Sequence, residues 1–184
     1  MFEVAGSAPS ILPRALFVGP VNGTKYNQSR GFLADINPMR STVFQFDLGE
    51  LLRTPPSNGS LEVGVCALQF RLPVCTQLPD GYPCYQFSGM EQEVLQRSGM
   101  RIEFVDGSDR PASWVAVPLV QVWPGEDTLV GTFACGVVGP RGVGGQGGMV
   151  SWLAESVNGF ELSFLQASNG GYRNRVGLFI VNCR

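Results

Sequence analysis

Few residues in this chain have the chemistry for catalysis, because histidine is absent altogether. Its absence removes Ser-His and Cys-His nucleophile pairs together with imidazole metal ligands. The one lysine, Lys25, sits in Gly23-Thr24-Lys25-Tyr26-Asn27. That is a polar loop, not an apolar pocket that would lower its pKa. Carboxylates remain. Glu91 and Glu93 share a short helical segment, and Asp106 and Asp109 share a turn. Asp106, Asp109, Glu126 and Asp127 would hold a calcium ion only if their loops converged. Solvent-facing and turn-capping roles account for all of them more simply. We therefore assign no catalytic residue, no cofactor and no metal ligand, and expect no enzyme.

Gly142-Val143-Gly144-Gly145-Gln146-Gly147 formally matches the dinucleotide fingerprint. That motif works only between a strand and a helix inside a βαβ unit. Strand-like segments lie on both sides here, so segment 139–148 reads as a surface loop, with Gly142 and Gly145 as candidate interaction positions. Its glycines recur every third residue, but so short a run cannot hold a collagen helix.

The cysteines are odd in number: Cys66, Cys75, Cys84, Cys135 and Cys183. The first three are nine residues apart, too far for a zinc knuckle. Buried or incidental thiols are the expected reading. The alternatives are a local disulfide, since Cys75 and Cys84 flank a loop of suitable size, or an interchain bond through an exposed Cys183. Three Asn-x-Ser/Thr patterns begin at Asn22, Asn27 and Asn58. The N-terminus lacks the charged and apolar regions of a signal peptide, so these read as polar turns. Trp114, Trp123 and Trp152, with Tyr82, Tyr85 and Tyr172, would suit a sugar platform, although aromatics more often fill cores and interfaces.

The elements that must position these residues are strands. Segment 60–72 is the longest strand-like run. Its apolar residues switch from odd positions (Leu61, Val63, Val65) to even ones (Leu68, Phe70, Leu72). Such a phase change predicts a bulge, or a strand buried on both faces midway. Segment 41–48 alternates, with Thr42, Phe44, Phe46 and Leu48 on one face, and segment 100–105 alternates up to the Asp106-Gly107 turn. Pro118 places the strand of segment 113–123 at an edge, or breaks it. Segments 14–18, 31–36, 128–138, 149–153 and 159–166 are further strands. Segment 175–182 is apolar enough to lie centrally, buried on both faces. Segment 90–97 is the single helix candidate.

The composition agrees. Charged residues make up 15% against 44% hydrophobic, with 24 glycines and 13 prolines. This suits an all-β protein with many turns and a surface that meets other protein. A net charge of -2 without a basic cluster gives nothing with which to displace counterions from many phosphates, so direct nucleic-acid binding is not expected. The expected architecture is an all-β, antiparallel β-sandwich: a single jelly roll of about eight strands with one short helix. Residues 1–13 form an extended N-terminal arm, and residues 14–184 form one domain.

With this strand count, the long run 60–72, the loop and small helix at 90–98 and the hydrophobic strand 175–182, the chain resembles single jelly-roll capsid proteins of viruses. The likeness is greatest to those of membrane-containing double-stranded DNA phages. It covers most of the chain and rests on architecture, not on a signature motif. RNA-coating capsid jelly rolls usually carry a basic N-terminal arm, whereas residues 1–13 hold no arginine or lysine. The resemblance implies a structural virion protein, a self-associating capsid subunit (major, minor or penton) of an icosahedral virus. Its partners would be copies of itself, other capsid proteins and an underlying viral membrane, in a virion assembled in the host cytoplasm. The alternative is a carbohydrate- or receptor-binding sandwich, of spike or lectin-like type, using loops 73–89 and 139–148. Cys75, Cys84 and Cys183 are then the candidate disulfide or interface thiols, and Tyr82, Tyr85, Gly142 and Gly145 mark the candidate interaction loops.

Overall fold

The computed structural model describes residues 10–49, 65–89, 97–105, 115–134, 148–167 and 175–183. Thirteen strands run through them: β1 (Ser10–Ile11), β2 (Ala15–Pro20), β3 (Asn27–Gln28), β4 (Leu33–Ile36), β5 (Arg40–Asp47), β6 (Val65–Leu72), β7 (Gln86–Ser88), β8 (Gly99–Phe104), β9 (Val115–Ala116), β10 (Glu126–Ala134), β11 (Met149–Val157), β12 (Glu161–Leu165) and β13 (Gly177–Cys183). Two single 3-10 turns, Arg30–Phe32 and Cys75–Gln77, accompany them. Residues 90–96 of the expected helix and the glycine-rich segment holding Gly142 and Gly145 lie outside the described residues, and Arg97 is not helical.

The strands form three antiparallel sheets, ordered β1-β13-β6-β10-β9, β3-β2-β5-β11-β8 and β4-β12-β7. The protein is therefore all-β, with the packed antiparallel sheets of a sandwich. There are more strands than the eight or so expected, because the chain breaks where it turns from one sheet to the next. At the β4–β5 corner, Asn37 and Arg40 exchange backbone bonds of 2.9 and 3.1 Å. The Asn37 carboxamide oxygen also accepts from the N–H groups of Met39 and Arg40. At the β11–β12 corner, Asn158 and Gly159 both take the left-handed conformation, φ 54° and 76°. Each corner joins two different sheets, so β4 pairs with β12 while β5 pairs with β11.

One set of the long-range pairings is nested, and the pairings β6–β13, β7–β12 and β8–β11 cross it. β1 pairs with β13, β4 with β12, β5 with β11 and β6 with β10, while Met100 in β8 bridges Val120. The chain thus runs out to about residue 105 and returns along itself. Ser10 and Ile11, placed by the sequence in an arm, pair with Val181 and Ile180 of β13, and Ile11 is buried.

β6 keeps an unbroken register with β13. Cys66, Leu68, Phe70 and Leu72 are buried along one side of it; on the other Ala67 is buried and Val65 is exposed, while Leu61 and Val63, the rest of the odd-position set, lie outside the described residues. The bulge belongs to the partner strand. In β10 the register with β6 slips between Leu129 and Gly131; Val130 is buried, and its carbonyl accepts the Val117 N–H at 2.8 Å. That bond carries the chain from β9 past Pro118 to the bridge at Val120, so the proline sits where a short edge strand leaves one sheet for another. β13 lies between β1 and β6, and Leu178, Phe179, Ile180 and Val181 are all buried, as its apolar run predicts.

Aromatic rings fill the space between the sheets. Phe133 of β10 reaches Trp152 of β11, ring centres 5.5 Å apart, and Phe46 and Phe104 meet Trp152 edge-on at 5.5 and 5.6 Å. Phe164 of β12 lies edge-on to Phe70 of β6 at 5.3 Å and is stacked on Phe44 of β5 at 6.3 Å. It thus ties all three sheets into one core.

Candidate functional site

Several charged side chains of the described residues form ion pairs with one another. Arg14 pairs with Asp47 at 3.0 Å and Arg40 with Asp35 at 3.1 Å. Arg101 bridges Glu155 at 2.7 Å and Glu103 at 3.1 Å. The Glu155 hydrogen bond, then the Glu103 charge, raise the guanidinium pKa of Arg101. Burial, then the neighbouring Arg71 charge, lower that of Arg175. Asp127 is largely exposed and lies 3.5 Å from Arg71, whose guanidinium covers the Phe179 ring at 4.8 Å.

Glu126 and Asp127 are exposed on β10, and Lys25 is exposed in its loop. Among the described residues, no three His, Cys, Asp or Glu side chains gather closely enough to hold a metal ion. Glu91, Glu93, Asp106 and Asp109 lie outside those residues. The aromatic platform is dispersed: Trp152 is core, Trp123 is part-exposed at 38%, and Trp114 and Tyr172 lie outside the described residues.

What the fold does present is the β6–β7 loop, residues 73–85. Cys75 and Cys84 are disulfide-bonded, with Cα atoms 5.4 Å apart, where incidental thiols were the expected reading. Between them the chain turns twice. Leu78 N–H donates to Cys75 O, and Tyr82 N–H donates to Pro79 O, with Gly81 at φ 80°. The loop sorts its side chains into two sides. Leu78, Tyr82 and Tyr85 pack against the core, and the Tyr82 hydroxyl donates to the Leu165 carbonyl at the end of β12. Thr76, Gln77, Asp80, Gly81 and Pro83 are exposed. Burial raises the phenol pKa of both tyrosines. The loop is thus a crown braced by a covalent bond above and a tyrosine anchor below. Such a shape loses little conformational entropy on meeting a partner. Sequence reasoning singled out Tyr82 and Tyr85 as contact residues; their rings face inward and serve as anchors. Cys183 ends β13.

No protein-family model matches the chain, and no curated protein is similar to it in sequence.

Proposed function

We propose that this protein is a structural subunit of an icosahedral virion, a single jelly roll that self-associates into a shell. The nested pairing of first strand with last, and so on inward to the Met100–Val120 bridge, carries this reading. A jelly roll is an antiparallel chain hairpin wrapped into two facing sheets, and viral capsid domains are among its commonest users. Low charge, ion pairs already closed within the subunit and the absence of a described metal cluster fit a protein whose task is to meet other protein. Its partners are further copies of itself, other capsid proteins and a viral membrane beneath the shell; it neither catalyses a reaction nor binds nucleic acid directly. Electron microscopy of the concentrated protein tests this. The reading expects closed shells or regular rings, and a field of dispersed single subunits would count against it.

One observation favours a second reading. Jelly rolls also serve as lectin-type binding modules, and the braced, outward crown at residues 75–84 has the rigidity of a recognition loop. A glycan array separates the two. A saccharide hit lost in a crown variant supports the binding module, and a blank array removes it.

A further inference from the structure

We propose that the Cys75–Cys84 disulfide is a redox clamp: closed it holds the β6–β7 crown in one shape, and thiol exchange opens the crown while the sandwich stays folded. Three observations meet here. Both cysteines are solvent-exposed, whereas Cys66, which is also disulfide-bonded, is wholly buried. Exchange requires a thiolate to reach a disulfide sulfur, so accessibility decides which bond is attacked first. The bond also closes only a local loop, with nine residues of separation, and joins no two sheets. Finally, the core beneath contains neither cysteine; Leu78, Tyr82 and Tyr85 reach it from the loop's inner side.

The chemistry balances with a dithiol reductant. One of its thiolates attacks Cys75 or Cys84, the protein S–S bond breaks, and the leaving cysteine thiolate takes up a proton. The reductant's second thiol then displaces the other cysteine from the mixed disulfide. The protein gains two thiols and the reductant leaves as a disulfide. Opened, the loop keeps the Tyr82 hydroxyl bond to Leu165 as its described hydrogen-bonded tie to the strands behind it. The exposed face of the crown then loses its fixed shape, and any partner that reads it loses affinity.

Amide hydrogen exchange on the full chain tests this, through the Gln77, Leu78 and Tyr82 N–H groups that close the crown's turns onto Val74, Cys75 and Pro79. Under a low concentration of dithiothreitol we expect these three to exchange on the order of tenfold to a hundredfold faster. Amides of β6, β11 and β13 should keep their rates. The Cys75→Ser, Cys84→Ser double variant should show the same pattern without reductant, independent of Cys66. Unchanged crown amides in that variant would mean that packing alone holds the loop, and the clamp is wrong. Loss of protection across all sheets, or failure of the variant to fold, would make the bond a structural staple and equally overturn the proposal.

Discussion

The side-chain carboxamide of Gln166 pairs with both backbone groups of Leu178, accepting its N–H at 2.9 Å and donating to its carbonyl at 3.3 Å. The amide occupies the place of a neighbouring strand, just beyond where the two-residue β1 stops covering β13. Its position dictates Gly177: a Cβ there would lie 2.0 Å from the Gln166 carboxamide oxygen, and φ is 130°. Gln166 is buried, so the groups it satisfies are out of reach of water.

Replacing this splice should therefore be expensive. Gln166→Leu leaves the Leu178 N–H and C=O unpaired and should cost about 2–4 kcal/mol. Gly177→Ala should cost at least as much, since it adds backbone strain of roughly 1–3 kcal/mol to a clash. Urea unfolding followed by circular dichroism checks both; a loss under about 0.5 kcal/mol for either would show that the edge finds other partners.

A second splice joins β4 to β5. The Thr42 hydroxyl accepts the Asp35 N–H at 3.0 Å and donates to the Asp35 carbonyl at 2.8 Å, and Thr42 is fully buried. Thr42→Val keeps the shape and removes both bonds, so about 1–3 kcal/mol of stability should go. Thr42→Ser should retain most of it. Equal losses in the two variants would assign the effect to packing instead.

Phe164 should be a costly ring to truncate, because it bridges three sheets. Phe164→Ala removes contacts to Phe44 and Phe70 at once and should destabilise by about 3–5 kcal/mol. Phe87→Ala should cost less, because Phe87 is only half-buried and pairs with Phe160 alone among the described rings. The order of the two unfolding midpoints is the readout.

Tyr82 gives the fold an alkaline limit. Burial raises its phenol above the ordinary 10.0, so the folded state holds the proton more tightly than the unfolded chain. Its contribution is fully present below the unfolded pKa and is lost as pH rises from there through the folded value. Phenolate absorbance should show two late-titrating tyrosines, Tyr82 and Tyr85, of which Tyr82→Phe removes one. If the titration is unchanged in that variant, the ring is not held as described.

Periodicity made several elements legible. The alternation of 41–48 and 100–105 gave β5 and β8, the apolar run 175–182 gave a central β13, and Pro118 gave a broken edge. Other features depend on which strands become neighbours, and that is not written in period two. The Gln166 splice is one, since a lone glutamine before a loop looks polar and surface-bound. The bulge is another: the phase change showed in segment 60–72, but the register slip sits in β10. The disulfide is the third, because pairing Cys75 with Cys84 depends on a Cα separation that spacing alone leaves open.

The most direct test of the central claim is the solution mass, by size-exclusion chromatography with light scattering over a concentration series, with and without reductant. A shell subunit should form a discrete dimer, trimer or pentamer, or a larger closed assembly, with the mass rising as the protein is concentrated. A strict monomer at every concentration would contradict self-association and move the weight to the binding module.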